Sequence, residues 1–473
     1  MTESDGVLSP QRRALTIGMV ATVTLVAVEA LAVITILPDI EDDLVGLSWY
    51  GWVTTAFFLG ILIGIVVAGD QADRVGLGRP FVAGLVMFSA GLVIGGLAPS
   101  MPILAGGRFV QGLGAGVVPA IGYVAIGRMY PASLRPRMFA ILSTAWVVPG
   151  VIGPTIAERV SAIVGWRWVF LGLLPLVIVA GCVTAPTMLR IRAPAAVAPA
   201  ESTRRRLADA VQLSAGAALF VGALTANAWL VAPMLVVGAL LGVSAFRRLT
   251  PPGTMRAMPQ LPAIIATRGL LTFAFFGADT FVPHTLTDAR LTSTASGSIA
   301  VTTSTLGWTT ASWIQERFVA RVGGRMLIRA GFALLALGIA GVALTAAFAD
   351  VPVWVIHLSW GIGGLGMGLS YSVHSQLTLA LSPESRLGWH TAALQLSDNL
   401  GIALGAGLTG AAVTFTDGRD LATGSGVALS LLIPASVAAV GLCVASRRHY
   451  PDRAQPVVPA AHHPGADALM SPG

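Results

Sequence analysis

Lysine is missing from all 473 residues: the 29 basic residues are arginine, and charged residues of both signs make up only 11% of the chain. A soluble globular protein carries about 25% charged residues, so a chain folded wholly in water is excluded. Cysteine is nearly absent as well. Cys182 and Cys443 each sit inside an apolar run, away from other Cys or His ligands, so no metal site is expected and both read as small buried hydrophobes. The strict apolar–polar alternation of a spanning β-barrel is almost wholly lacking. So are a nucleophile–base set, a cluster of metal ligands and a phosphate-binding loop. Neither an enzyme nor ATP-driven chemistry is expected, and no cofactor is required.

What the chain has instead is apolar length. It is 55% hydrophobic, with a mean hydropathy of +0.79 and 55 glycines. Runs of about 20 apolar residues cross a bilayer as helices, and small residues let such helices approach closely. The pattern predicts spans at 15–38, 47–69, 80–98, 101–127, 138–163 and 168–188, then 262–284, 296–314, 326–347, 351–376, 389–414 and 423–446. The first run follows Arg12 and Arg13 as a signal peptide would. It continues to Pro38 with many more behind it, so it reads as a span. Between the two sets lies 210–246, apolar, interrupted at Asn227 and flanked by Arg204, Arg205 and Arg206 before it and Arg247 and Arg248 after it. Arginine on both flanks predicts a two-helix hairpin and fourteen spans; twelve spans plus an interfacial segment is the alternative.

An even count puts both termini on one side. With that side cytoplasmic, all arginines fall inside or at inner span ends except Arg159, Arg167, Arg290 and Arg419, and except Arg108, which lies within a span. The positive-inside rule therefore places both termini in the cytoplasm, and the expected home is a bacterial cytoplasmic membrane. The first outer loop is expected to be acidic, with Asp39, Glu41, Asp42 and Asp43. The net charge of +7 sits on short loops between spans, which argues for a lipid surface and against nucleic acid.

A weak internal repeat runs at an offset near 250. Glu29 matches Asp279, Arg74-Val75-Gly76 echoes Arg321-Val322-Gly323, Gly112, Gly114 and Gly116 echo Gly364, Gly366 and Gly368, and Gly150 and Pro154 align with Gly401 and Gly405. The expected architecture is an all-α membrane protein of two six-helix bundles. It divides into a cytoplasmic N-terminus (1–14), a first bundle (15–189), a linker holding the hairpin (190–260), a second bundle (261–446) and a disordered tail (447–473).

The motifs carry a resemblance. Gly69-Asp70-Gln71-Ala72-Asp73-Arg74-Val75-Gly76-Leu77-Gly78-Arg79 resembles the loop signature of the major facilitator superfamily. Arg108-Phe109-Val110-Gln111-Gly112-Leu113-Gly114 resembles that family's fourth-span motif, and Pro149-Gly150-Val151-Ile152-Gly153-Pro154 is similar to its antiporter motif. Trp52-Val53-Thr54-Thr55-Ala56 and Gly165-Trp166-Arg167-Trp168-Val169-Phe170 look like the fourteen-span drug:proton antiporter branch. Ala157 and Glu158 depart from that pattern, which has two glycines there, and Glu29 stands where the branch has Asp. The resemblance implies a major facilitator fold and a secondary active transporter exporting amphipathic drugs or similar small molecules against protons. Export of one endogenous lipid or metabolite is the alternative. A monomer is expected, with substrate, protons and the bilayer as its partners.

Several side chains then stand out. Glu29 lies mid-span, where an acid costs about 2.5–3.5 kcal/mol to insert. Low dielectric disfavours its charged form, so it can exchange a proton near neutral pH. Asp279 and Asp398 are candidate second sites, for protons or for a cationic substrate; Asn399 and Gln395 offer Asp398 a structural polar cluster instead. Arg108 stays charged in any protein and needs a partner; the resemblance implies a fold whose first and fourth spans face one cavity, which offers Glu29, and Gln111 follows one turn on. The family reading of Gly69, Asp73, Arg74, Gly76 and Arg79 is a loop latch, in which Asp73 caps a neighbouring helix N-terminus and pairs with arginine. Gly150, Gly153 and Pro154 are expected to form a kinked, closely packed hinge. His357, His374 and His390 read as helix–helix hydrogen bonds.

Overall fold

A computed structural model describes residues 6–44, 49–194, 203–223, 228–292, 294–417, 423–447 and 450. An apolar chain away from water must satisfy its backbone within each segment, and the described chain does so as helices. The first part of the chain forms α1 (Arg13–Leu44), α2 (Tyr50–Val75), α3 (Gly78–Gly96), α4 (Met101–Met129), α5 (Arg135–Thr144), α6 (Val147–Val164), α7 (Arg167–Leu171) and α8 (Leu174–Arg190). The middle forms α9 (Thr203–Ala223) and α10 (Ala228–Leu249). The remainder forms α11 (Leu261–Asp279), α12 (Val282–His284), α13 (Thr294–Val322), α14 (Gly324–Ala347), α15 (Trp354–Leu381), α16 (Leu387–Asp417), α17 (Thr423–Ser430) and α18 (Leu432–Ser446). A π-helical turn, Thr285–Ala289, follows α12.

Among the described residues, ten helical segments are long and apolar enough to cross a membrane. Nine of the twelve expected spans outside the hairpin lie on these segments; those at 138–163, 296–314 and 351–376 fall on α5–α6, α13 and α15, which are not among the ten, and of the hairpin only α10 is. Other differences have local causes. The run at 138–163 is split into α5 and α6 before Pro149, and 168–188 breaks after Leu171, ahead of Pro175. α1 continues through Pro38 to Leu44, so Asp39, Glu41, Asp42 and Asp43 lie on its last turns and not in a loop. There Asp43 pairs with Arg167 at 2.7 Å, and Asp39 accepts a bond from Ser161. The expected hairpin region is two packed helices, α9 and α10; Asn227, Arg419 and the tail from 451 lie outside the described residues. Cys182 and Cys443 are exposed and not buried, on outward faces of helices whose apolar surface suits lipid.

The repeat is legible in the packing. Gly76 and Gly323 end α2 and α13 with φ of +88° and +87°, a region open to glycine, and each leads straight into the next helix. A Cβ on Gly112 or Gly116 would strike the carbonyls of Phe57 and Ile61 on α2; one on Gly364 or Gly368 would strike those of Ser304 and Trp308 on α13. Gly114 meets Gly84 on α3, and Gly366 meets Gly331 on α14. Both glycine triplets thus serve as backbone-to-backbone seats for two neighbouring helices, which is the physical content of Gly112 and Gly114.

One buried cluster draws only on residues 261–450. Two others lie within residues 7–188, the first also taking in Leu379 and Leu387. A fourth joins α2, α9, α10 and α16, so the hairpin packs over the seam where α2 meets α16.

Candidate functional site

Glu29 and Arg108 meet in the interior, 1% and 2% exposed, with the Arg108 Nη1 donating to Glu29 Oε1. α1 supplies the acid and α4 the cation, and the glycine seats hold α4 against α2 and α3. Arg108 also donates to Gln111 Oε1 at 2.7 Å, one turn along its own helix, and its guanidinium lies 4.0 Å above the Phe57 ring. The expected pairing is therefore present, and Gln111 shares the face. A guanidinium keeps its proton, so the only member of this group that can change charge is Glu29. The surrounding apolar wall leaves little screening, and the pair's interaction is strong.

The matching place in the second half is built differently. Asp279 ends α11 and accepts a hydrogen bond of 2.7 Å from the indole of Trp360, the residue that stands where Arg108 stands in the first half. Trp360 is wholly buried and stacks on Phe275 with ring centres 5.0 Å apart. Among the described residues no cation pairs with Asp279, which is only partly buried. The repeat thus preserves an acid facing the fourth helix of each half but replaces its charged partner with a neutral donor.

Asp398 has a partner that sequence reasoning missed. Arg268, 0% exposed, lies on α11 and binds Asp398 with two of its three nitrogens, Nε to Oδ1 at 2.8 Å and Nη2 to Oδ2 at 3.3 Å. Tyr371 donates its hydroxyl to Asp398 Oδ2 at 3.0 Å, and its ring lies 3.1 Å from the guanidinium carbon. The orientation count placed Arg268 among inner-end arginines. Its position one and a half turns inside a predicted span was the available signal. Asn399 and Gln395 bond to one another, Nδ2 to the backbone carbonyl at 2.9 Å, and not to Asp398.

The loop signature forms a cap. Asp73 accepts backbone N–H bonds from Gly388 at 2.8 Å and Trp389 at 2.9 Å, at the N-terminus of α16, where the helix dipole favours an anion. Its arginine is Arg128 of α4, at 3.2 Å, rather than the adjacent Arg74, which pairs with Asp70 at 3.0 Å. Helical geometry explains the swap: Asp70 and Arg74 are four apart and share a face, while neighbours in sequence do not. Gly69 lets α2 and α16 touch, since a Cβ there would overlap the Gly388 carbonyl and Ala392. Gly76 makes the turn into α3, and Arg79 is exposed beyond it, away from the cap. The hairpin is tied to the same place. Thr203 and Arg206 of α9 reach Asp70 at 2.9 and 3.4 Å, and the Trp389 indole donates to the Leu249 carbonyl of α10 at 3.0 Å.

Because hydrogen bonds to charged groups contribute about 1.5–3 kcal/mol each, Asp73→Asn is expected to favour separation of α2 from α16 at least tenfold. An amide offers one acceptor oxygen where two N–H groups converge. Spin labels on exposed Arg79 and Glu384, replaced by cysteine in a background lacking Cys182 and Cys443, should report a longer-distance population in the variant. An unchanged distance distribution would remove the cap from the closing machinery.

The remaining candidates are placed more loosely. Gly150 and Gly153 border open space: among the described residues, beyond their own helix backbone, no atom comes within 4 Å of a Cβ built on either, so the expected close packing is absent there. Pro154 lies inside α6, which continues past it to Val164. His374 bonds to the Ser370 carbonyl at 2.8 Å and Thr267 at 3.1 Å, His357 to Ser296 and His390 to Ser382, each as a structural bridge.

Comparison with known proteins places this geometry. The family model described as Major Facilitator Superfamily matches residues 17–348. A protein named "Probable multidrug-efflux transporter" from Mycobacterium tuberculosis is 29% identical, covering 92% of this chain and 94% of its own. The multidrug transporter protein MdtP of Bacillus subtilis is 26% identical, covering 87% and 77%. Among solved structures, the human organic anion transporter MFSD10 superposes with a TM-score of 0.66 at 14% identity over 91% of this chain and 99% of its own. The proton:xylose symporter XylE does so with 0.63 at 15% identity over 91% and 94%.

Proposed function

The chain belongs to the Major Facilitator Superfamily, multi-pass membrane transporters of small molecules, and on that premise we propose that it is a proton-coupled exporter of the fourteen-span kind. In this reading amphipathic molecules leave a bacterial cell across its cytoplasmic membrane, with both termini in the cytoplasm. The observation that carries the reading is the buried Glu29–Arg108 pair. Arg108 cannot give up its charge, so protonation of Glu29 leaves an unmatched cation in an apolar wall. That imbalance is strong enough to drive a rearrangement of the helices that hold it.

The two bundles are the moving parts in this mechanism, and the Asp73 cap holds the end where α2 finishes and α16 begins. A proton arriving at Glu29 from the opposite side loosens Arg108, the cap breaks, and substrate enters from the cytoplasm. Loss of the proton inward restores the pair and returns the closed state. Asp279, bound to a neutral indole, is the second exchange site. The hinge role of Gly150, Gly153 and Pro154 belongs to the same proposal, with the open space beside the two glycines as the room for bending. The multidrug-efflux names of the relatives support a drug-like substrate range.

The test is transport in proteoliposomes or inverted vesicles under an imposed pH gradient, with ethidium and other amphipathic dyes as probes. Uptake that follows the gradient and collapses with a protonophore supports the proposal. Uptake indifferent to the gradient overturns proton coupling while leaving the transporter assignment intact.

A further inference from the structure

The seam between α2 and α16 is tight at Gly69 and Gly388 but parts further along, leaving a cavity of about 310 Å³. Its walls come from three helices, each presenting residues four apart on one face: Thr55 and Leu59 on α2, Ala217 and Val221 on α9, Asn399 and Ala403 on α16. Ligand sites span about 300–1,000 Å³, so the volume suits one small molecule. Among the described residues no charged side chain lines it, and neither Glu29 nor Asp279 reaches it. The Asn399 amide nitrogen spends one of its two hydrogens on the Gln395 carbonyl, its side-chain oxygen is available as an acceptor, and Thr55 adds a hydroxyl on the opposite wall.

Without α9 this gap would be an open groove. The hairpin supplies a third wall and leaves the cavity partly open, and several bonds fix the hairpin in place. Thr203 and Arg206 hold α9 to Asp70, Ser214 donates to the Leu59 carbonyl at 3.1 Å, and Leu249 accepts from Trp389. A wall anchored at several points keeps its shape when empty, which is what a preformed site requires.

We propose that α2, α9 and α16 form a lateral binding site for an uncharged, mostly apolar molecule carrying one hydrogen-bonding group, taken up from the bilayer. The hairpin is its third wall. The site stands apart from the proton-coupled acids, so it is tested without any gradient and can fail or hold independently of the transport reading.

The probe is 3-(trifluoromethyl)-3-(3-iodophenyl)diazirine, a neutral photoreactive aromatic, applied to the full chain in lipid nanodiscs, with adducts mapped by mass spectrometry. Adducts on Leu59 and Ala403 are expected at least fivefold above those on Leu240, which is 66% exposed on α10. Ala403→Phe and, separately, Val221→Phe should lower cavity adducts fivefold while leaving those on Leu240 unchanged. Two fillers on different helices guard against one that misfolds. Labelling of the cavity at the level of Leu240, or labelling unaffected by either filler in folded protein, overturns the site. In a second arm, a phosphatidylglycerol with a diazirine in its acyl chain is used. If it marks the same residues and excess unlabelled aromatic fails to displace it, the occupant is a resident lipid tail and the proposal falls.

Discussion

Gradient-driven uptake by the Glu29→Gln variant is expected to drop to the level of vesicles lacking the protein, a loss of tenfold or more. Glutamine keeps the shape and hydrogen-bonding reach of the acid but cannot bind or release a proton, and Arg108 keeps its charge throughout. The variant also leaves that charge unmatched, and breaking a buried pair costs about 3–5 kcal/mol. Lost transport alone could therefore reflect lost fold. The double variant Glu29→Gln and Arg108→Gln separates the two effects, because neither side chain then carries a charge. Its thermal stability should recover towards the parent while gradient-driven uptake stays absent. Equilibrium exchange of substrate with no gradient should persist in it within about threefold, since a factor of three corresponds to well under 1 kcal/mol. Gradient-driven uptake surviving in either variant would remove Glu29 from coupling.

Arg268→Met should be the most destabilising single change in the second half. It strands Asp398 in the interior, where Arg268 had matched both carboxylate oxygens. A loss of about 3–5 kcal/mol is expected, seen as a large fall in the midpoint of thermal unfolding of purified protein. Adding Asp398→Leu to that variant should restore most of it, because two apolar residues replace two charges and neither is left alone. Tyr371→Phe removes a single hydroxyl bond to the same carboxylate and should cost less than Arg268→Met. If the restored double variant still transports under a pH gradient, Asp398 and Arg268 are a clamp between α11 and α16. If it is folded but inert, Asp398 takes part in coupling alongside Glu29. A destabilisation below 1 kcal/mol for Arg268→Met would mean the pair contributes little in the membrane.

The buried acids show where reading the chain succeeds and where it stops. Glu29 was visible because an acid in the middle of an apolar run is costly and rare. Arg108 was visible for the same reason, and pairing the two rested on the family resemblance, whose fold turns the first and fourth spans to one cavity. Arg268 escaped because it sits near a span end, where arginine is expected for orientation. Only the packing of α11 against α15 and α16 shows that it turns inward. The family resemblance gave Asp73 as a cap, yet its arginine came from α4, 55 residues away, and no local pattern points there. Cys182 and Cys443 were misplaced because in an apolar protein hydrophobicity no longer separates inside from outside.

By itself the sequence determined that this protein is a set of apolar helices, that it repeats, and which few side chains are too costly to be idle. Those properties are local, written in run length, glycine spacing and the energy of a charge out of water. The tertiary structure alone decided which base answers which acid, that the second half substitutes an indole for a guanidinium's contact, and that the hairpin packs over the seam between α2 and α16. These are contacts between helices far apart in the chain. Where every helix is greasy on all sides, the faces that meet are chosen by shape, through glycine seats and small-residue gaps, and periodicity carries almost no record of that choice.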